Sequence, residues 1–276
     1  MRRGAVAALA LAGAAAGLPA RAFSVIPLEA PGEVLKWGAS HAAGSPGGEV
    51  TWGFVAAGTP GSPACLPYCA GDSLDRLPHH YPAPTLGNRT EPLPLARLHE
   101  AFQAAFDAWS AVADIRFRYL GVDDSLRPFG APAAGAPMIR IAVFRFAGTW
   151  QYCNSAAAFA PPPNLGTLAG DVFINANVGY QMTPARDGDA PPSFPVPHGL
   201  HMTDLRHLAL HETGHAIGLG SSDERDAVMC APSLSVDCSR RVTPWHLPRA
   251  DDIAGAQHLY GAPPGVERRT DVRRVP

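Results

Sequence analysis

The sequence predicts an α+β fold, a mixed sheet with a helix packed against one face. Two patterns predict it. In the first half, short stretches of two-residue alternation surround one strongly amphipathic helix, and the second half reads as helical. The composition agrees: 46% apolar and 17% charged side chains in 276 residues suit one globular domain, or at most two. A formal net charge of −2 supplies no basic face, so nucleic acid is not an expected partner.

Taken in order, the chain opens with Met1-Arg2-Arg3, an apolar run from Gly4 to Leu18 and the small-x-small triplet Ala20-Arg21-Ala22. This is the form of a signal peptide over residues 1–22, removed near Ala22. The run is short for a membrane span and no second one follows. A secreted or periplasmic protein, off the membrane after cleavage, is therefore expected. Residues 23–47 are rich in Gly, Ala and Pro and read as an extended N-terminal arm. Glu49 to Val55 alternates as a half-buried strand, and residues 57–95 read as a long Pro- and Gly-rich surface loop.

Leu98, Phe102, Ala105, Phe106, Trp109 and Val112 recur at helical spacing and predict an amphipathic helix over Leu95 to Val112. Strands are predicted at Asp114–Leu120, Met138–Phe144, Ala156–Phe159 and Gly170–Asn175. Thr203 and Asp204 offer an N-cap to a helix from Leu205 that stops at Gly218, and Arg249–Gly261 reads as the last helix. Residues 263–276 read as a basic, solvated tail. In an oxidising compartment the five cysteines point to disulfides, with Cys65/Cys69 and Cys230/Cys238 as local staples and Cys153 left over.

The chemistry concentrates in His211-Glu212-Thr213-Gly214-His215. Residues four apart on a helix share a face, so two imidazoles from adjacent turns can hold one Zn²⁺, with a carboxylate beside the first. Neutral imidazole leaves the ion its Lewis acidity, and the Glu can move a proton. The five-residue pattern is expected by chance only roughly 0.01 times in such a sequence. Gly218 can end the helix in a left-handed turn and bring a later residue back to the metal.

The run His211 to Leu219 resembles the zinc-binding signature of the matrixins, the matrix-metalloproteinase-like branch of the metzincin endopeptidases. Met229 falls in register with that family's Met-turn methionine. Asp251–Gly261 resembles its C-terminal helix and Ala104–Ser110 its first helix. Ala158-Phe159 before the prolines and Gly170-Asp171 resemble its fourth and fifth strand regions. The likeness covers residues 48–262. It implies a twisted five-stranded mixed sheet with three helices, an active-site cleft, and a secreted zinc endopeptidase acting on extended polypeptide. His211 and His215 would be ligands, Glu212 the general base and acid, and Gly218 and Met229 supporting residues; a monomer is expected.

Three sites depart from the family pattern. Ser221 stands where the family places its third zinc ligand, which leaves Asp223 or Ser221 to complete the sphere, or a catalytically inactive extracellular binding module. Ala157 and Phe173 stand where a second, structural zinc would find histidines, so no second zinc is expected. Asn175 and Val178 stand where calcium would find acids, and calcium is left open. His207, one turn before His211, is a further imidazole near the site.

Overall fold

The computed structural model describes residues 22–66, 68–77, 92–130, 134–147, 158–163, 166–182, 202–230 and 246–265. The proposed signal segment, Cys153, Ala157, Cys238 and most of the basic tail lie outside them.

Strand β1 (Gly48–Val55) runs in the middle of the sheet because every second side chain from Val50 onward is apolar and buried. The strands β5 (Ile115–Asp123) and β6 (Ile139–Arg145) flank it in parallel. Beyond β6 lies β8 (Val172–Asn175), also parallel, and at the edge β7 (Ala158–Phe159) runs antiparallel to β8. This is the five-stranded mixed sheet that the resemblance implies. A further strand, β2 (Ala70–Leu74), pairs antiparallel with β6 and comes from the segment read as loop. The Gly- and Pro-rich composition of residues 57–95 hid it, because Ala70–Leu74 carries little apolar alternation. The same segment contributes β3 (Arg76–Leu77) and β4 (Leu93–Pro94), which pair with each other.

Helix α1 (Leu95–Ser110) lays Phe102 against Phe54 and Phe106 against Trp52 of the sheet, with Leu98 and Trp109 buried in the same core. Each such side chain contributes about 1.5–3 kcal/mol through removal from water, which makes this layer the main core. Strands β9 (Gly179–Gln181) and β10 (Met202–Asp204) pair in parallel and lead into helix α2 (Leu205–Ala216). Helix α3 (Ala250–Tyr260) ends at Gly261, whose φ of +79° closes it. No described helix is long and apolar enough to cross a membrane.

The arm over residues 23–47 lies against the body of the domain. Val25 bridges Leu219, and Leu35 donates its N–H to Ile26. Trp37 is buried and its indole donates to the Ala216 carbonyl at 2.8 Å, satisfying one of the open carbonyls at the end of α2. Lys36 is fully buried, with its ammonium on the carbonyl oxygens of Ser40 and Ser45 and over the Tyr260 ring. Cys65 and Cys69 form the expected local disulfide, and Cys230 is disulfide-bonded as well.

Candidate metal centre and cleft

Helix α2 starts where Asp204 accepts hydrogen bonds from the Arg206 and His207 N–H groups, both at 3.0 Å. Its inner face packs on α1. The Trp109 indole donates to the Leu210 carbonyl and lies 3.0 Å from the Thr213 hydroxyl. That contact fixes the rotation of α2 and so decides which residues face outward into the cleft.

His211 and His215 come from adjacent turns, with ring centroids 4.8 Å apart and planes at 90°. The Nδ1 of His211 lies 2.8 Å from the Val228 carbonyl, and the Nδ1 of His215 lies 2.8 Å from the Leu219 carbonyl. A carbonyl oxygen only accepts, so each Nδ1 carries the proton and each Nε2 carries the lone pair. Burial pushes the His215 imidazole below its ordinary pKa, which favours the neutral form a metal requires. The two rings thus have the tautomer and spacing of a ligand pair.

Glu212 sits between them in sequence and is 5% exposed. Its Oε2 has no hydrogen-bond partner among the described residues, and burial pushes the carboxyl up to about 8. A buried carboxylate oxygen without a partner is costly unless a cation or a bound proton donor completes it. That orphaned atom, beside two imidazoles of the correct tautomer, fits a site for Zn²⁺.

The turn after α2 depends on Gly218. Its φ is +108°, and a Cβ there would lie 2.6 Å from the Leu35 carbonyl oxygen, so both conformation and space select glycine. The chain then runs back along the arm: Gly220 donates to the Ser24 carbonyl, and the Ser24 hydroxyl donates to the Ser221 carbonyl at 2.6 Å. Ser221 lines the cleft. Asp223 is exposed and does not. Among the described residues no group of three His, Cys, Asp or Glu is placed to hold a metal. The His207 ring centroid is 6.2 Å from that of His211 and tilted by 48°.

Met229 is buried against α2 at Gly214. A Cβ on Gly214, between the two histidines in sequence, would collide with its sulfur. The methionine turn is tied to α3 by Asp252, which accepts from the Val228, Met229 and Arg249 N–H groups at 2.8, 3.0 and 2.8 Å. Ser222 N–H donates to the Met229 carbonyl and its hydroxyl to Asp251. The cleft is about 430 Å³, with His211, Glu212 and His215 as its floor, the edge strand at Ala158 and Phe159 on one side and Ile26 of the arm on another. Nothing in the composition of the arm marked Ile26 or Ser24 as part of the site. The two carbonyls that orient the imidazoles left no sequence signal either.

Residues 143–261 match the family model described as matrixin. Macrophage metalloelastase of Oryctolagus cuniculus is 29% identical over 67% of this chain and 33% of its own length. Matrix metalloproteinase-15 of Homo sapiens is 30% identical over 70% of this chain and 26% of its own. A third relative, metalloendoproteinase 5-MMP of Arabidopsis thaliana, is 34% identical over 40% of this chain and 26% of its own. The chain thus spans about a quarter to a third of the length of these curated relatives. The matched segment contains β8, α2, the methionine turn and α3, and by it the chain belongs to the matrixin branch of the metzincins.

Proposed function

We propose that this protein is a secreted zinc-dependent endopeptidase whose catalytic domain occupies residues 48–262, with 1–22 as a signal peptide and 263–276 as a solvated tail. The observation that carries the reading is the buried, partnerless Oε2 of Glu212 next to two imidazoles whose protons are both committed to backbone carbonyls. His211 and His215 would hold Zn²⁺ through Nε2. When bound, the ion supplies Lewis acidity that lowers the pKa of water and polarises a carbonyl. Glu212 accepts the proton of the attacking water and returns it to the leaving amine nitrogen. Its buried position keeps competing solvent from that carboxylate. The edge of β7 receives the substrate backbone as an added strand, and of the two candidates for the third ligand, Ser221 and Asp223, Ser221 is the one that lines the cleft and would complete the sphere.

One observation favours a second reading, a matrixin-like binding module without peptidase activity: no third acid, His or Cys joins the pair among the described residues. The experiment that separates the two is casein cleavage by the zinc-loaded parent and by Glu212→Gln, with metal analysis of both. The endopeptidase reading expects about one zinc in each, and a loss of cleavage of about a hundredfold or more in the variant. Equal cleavage by the two would remove Glu212 from its role. Less than a tenth of an equivalent of zinc in a folded parent would support the binding module.

A further inference from the structure

Phe159 is the one cleft-lining aromatic among the described residues, and its ring also reaches a second, smaller core. This core gathers Val55, Phe129, Phe144, Phe146 and Phe173 with the two half-cystines Cys65 and Cys69. Among the described residues strand β7 covers two positions and pairs with β8 there, Ala158 opposite Ile174 and Phe159 opposite Phe173. Two described ladder positions fix a backbone loosely, and side-chain packing across the strand adds to what sets its place. The packing is specific. The Tyr68 ring stacks on Phe159 with centroids 4.0 Å apart and planes at 10°, and meets Phe146 edge-on at 5.6 Å.

Tyr68 is itself held. It lies inside the small ring closed by the Cys65–Cys69 disulfide, and its N–H donates to the Cys65 carbonyl at 2.7 Å. Ser62, at the start of the same turn, donates its hydroxyl to the Phe129 carbonyl at 2.8 Å. The loop therefore presents one aromatic ring to the outer strand of the sheet from a fixed place.

We propose that Tyr68, presented by the Cys65–Cys69 loop, is a substrate-positioning residue: it holds Phe159 and the β7 edge at the height at which an extended peptide pairs across the cleft. This rests on the endopeptidase reading. Tyr68 touches neither the imidazoles nor Glu212, so its loss acts on peptide binding and leaves the metal and the proton transfer alone. The disulfide then belongs to the substrate side of the site.

The test measures steady-state cleavage of an internally quenched peptide, and equilibrium binding of the same peptide to proteins that also carry Glu212→Gln. In Tyr68→Ala, KM and Kd are expected to rise about fivefold, the scale of a lost aromatic stack, with kcat within about twofold and zinc content unchanged. Tyr68→Phe keeps the ring and is expected to match the parent, whereas Cys65→Ser with Cys69→Ser shifts KM in the direction of Tyr68→Ala. Should Tyr68→Ala not fold, Tyr68→Leu retains apolar bulk without the flat ring and is expected to show the same rise. Parental KM and Kd in the Ala or Leu variant overturns the inference. So does a fall in kcat and zinc content at constant KM, or a Phe variant as weak as Ala. A parent that binds the peptide in a Tyr68-dependent way without cutting it removes the peptidase reading and leaves the positioning role standing. A parent that neither binds nor cuts removes both.

Discussion

Gly214→Ala tests how the methionine turn supports the histidine pair. Two effects compete at this position. Alanine in a helix interior is favoured over glycine by about 0.5–1 kcal/mol. Against that, a Cβ at residue 214 would overlap the Met229 sulfur and lie 3.1 Å from Trp109 Cζ2 and 3.2 Å from Met229 Cε. Overpacking of this kind costs about 1–3 kcal/mol, and here the upper end applies, because Met229 is 2% exposed and Trp109 is fully buried with its indole N–H bonded. The net expectation is a destabilisation of about 2 kcal/mol in urea unfolding, with the dependence on urea unchanged. Met229→Ala alone leaves a cavity and costs about 2–5 kcal/mol. In the double variant the new methyl enters that cavity, so the double variant is expected to be about 1–2 kcal/mol more stable than additivity predicts. Additive costs, or a Gly214→Ala protein as stable as the parent, would refute direct contact between helix and methionine.

The remaining predictions address charge and metal. Burial pushes Asp171 up to about 7 although its Oδ1 accepts the Arg140 N–H, with the Arg140 guanidinium near it and Asp123 beyond. A raised acid stabilises the fold below its unfolded pKa and loses that contribution as pH climbs through the folded value. The parent should therefore lose stability relative to Asp171→Asn between about pH 4 and 7, on the order of 2–4 kcal/mol by chemical denaturation. A constant difference across that range would reject it. Removal of residues 1–22 would turn the Phe23 nitrogen, 3.0 Å from Asp251 Oδ1, into an ammonium. Protein starting at Phe23 should then melt above one with extra residues before it, by about 1 kcal/mol of stability, and Asp251→Asn should abolish that gap. Ser221→His is expected to tighten zinc at least about tenfold in a competition assay, while Asp223→Ala leaves affinity unchanged. The opposite pattern would assign the third ligand to Asp223.

What the sequence reveals, and what it hides, follows from the range of the interactions. The apolar spacing of Leu98, Phe102, Phe106 and Trp109 is local and announces α1 within two residues of its observed end. Asp204 announces the start of α2 for the same reason, since a cap bonds to N–H groups two and three residues on. The i, i+4 pair of histidines is local too. Their orientation is not: it depends on carbonyls at Val228 and Leu219, supplied by a turn and a loop that any residue types could supply. The arm was hidden in a similar way. Its inward residues Val25, Leu35 and Trp37 follow no single period because the arm is no regular element, and Ile26 stays exposed at the cleft. Strand β2 was hidden by its own composition, since an edge strand built as Ala-Gly-Asp-Ser-Leu is specified by its partner β6.

The third-ligand position is where these distant contacts bear most directly on chemistry. A loop after a glycine has the freedom to swing inward, but the neighbours of Asp223 are fastened on both sides. Ser221 is held through its carbonyl by Ser24, and Gly220 through its N–H by the same residue. One step further, Ser222 is fully buried, paired with the methionine turn by its N–H and with Asp251 by its hydroxyl, which also accepts from Glu224 N–H. Carrying Asp223 into the cleft would break several of these bonds at about 1 kcal/mol each, and leave buried groups unpaired at greater cost. The arm and α3 thus act together on one short segment: they present Ser221 to the cleft and turn Asp223 to solvent. A weak third donor at that place, or a water held by it, is the arrangement this network supports. A metal bound here would rest mainly on the two imidazoles, and its affinity would depend on how rigidly Val228 and Leu219 aim them.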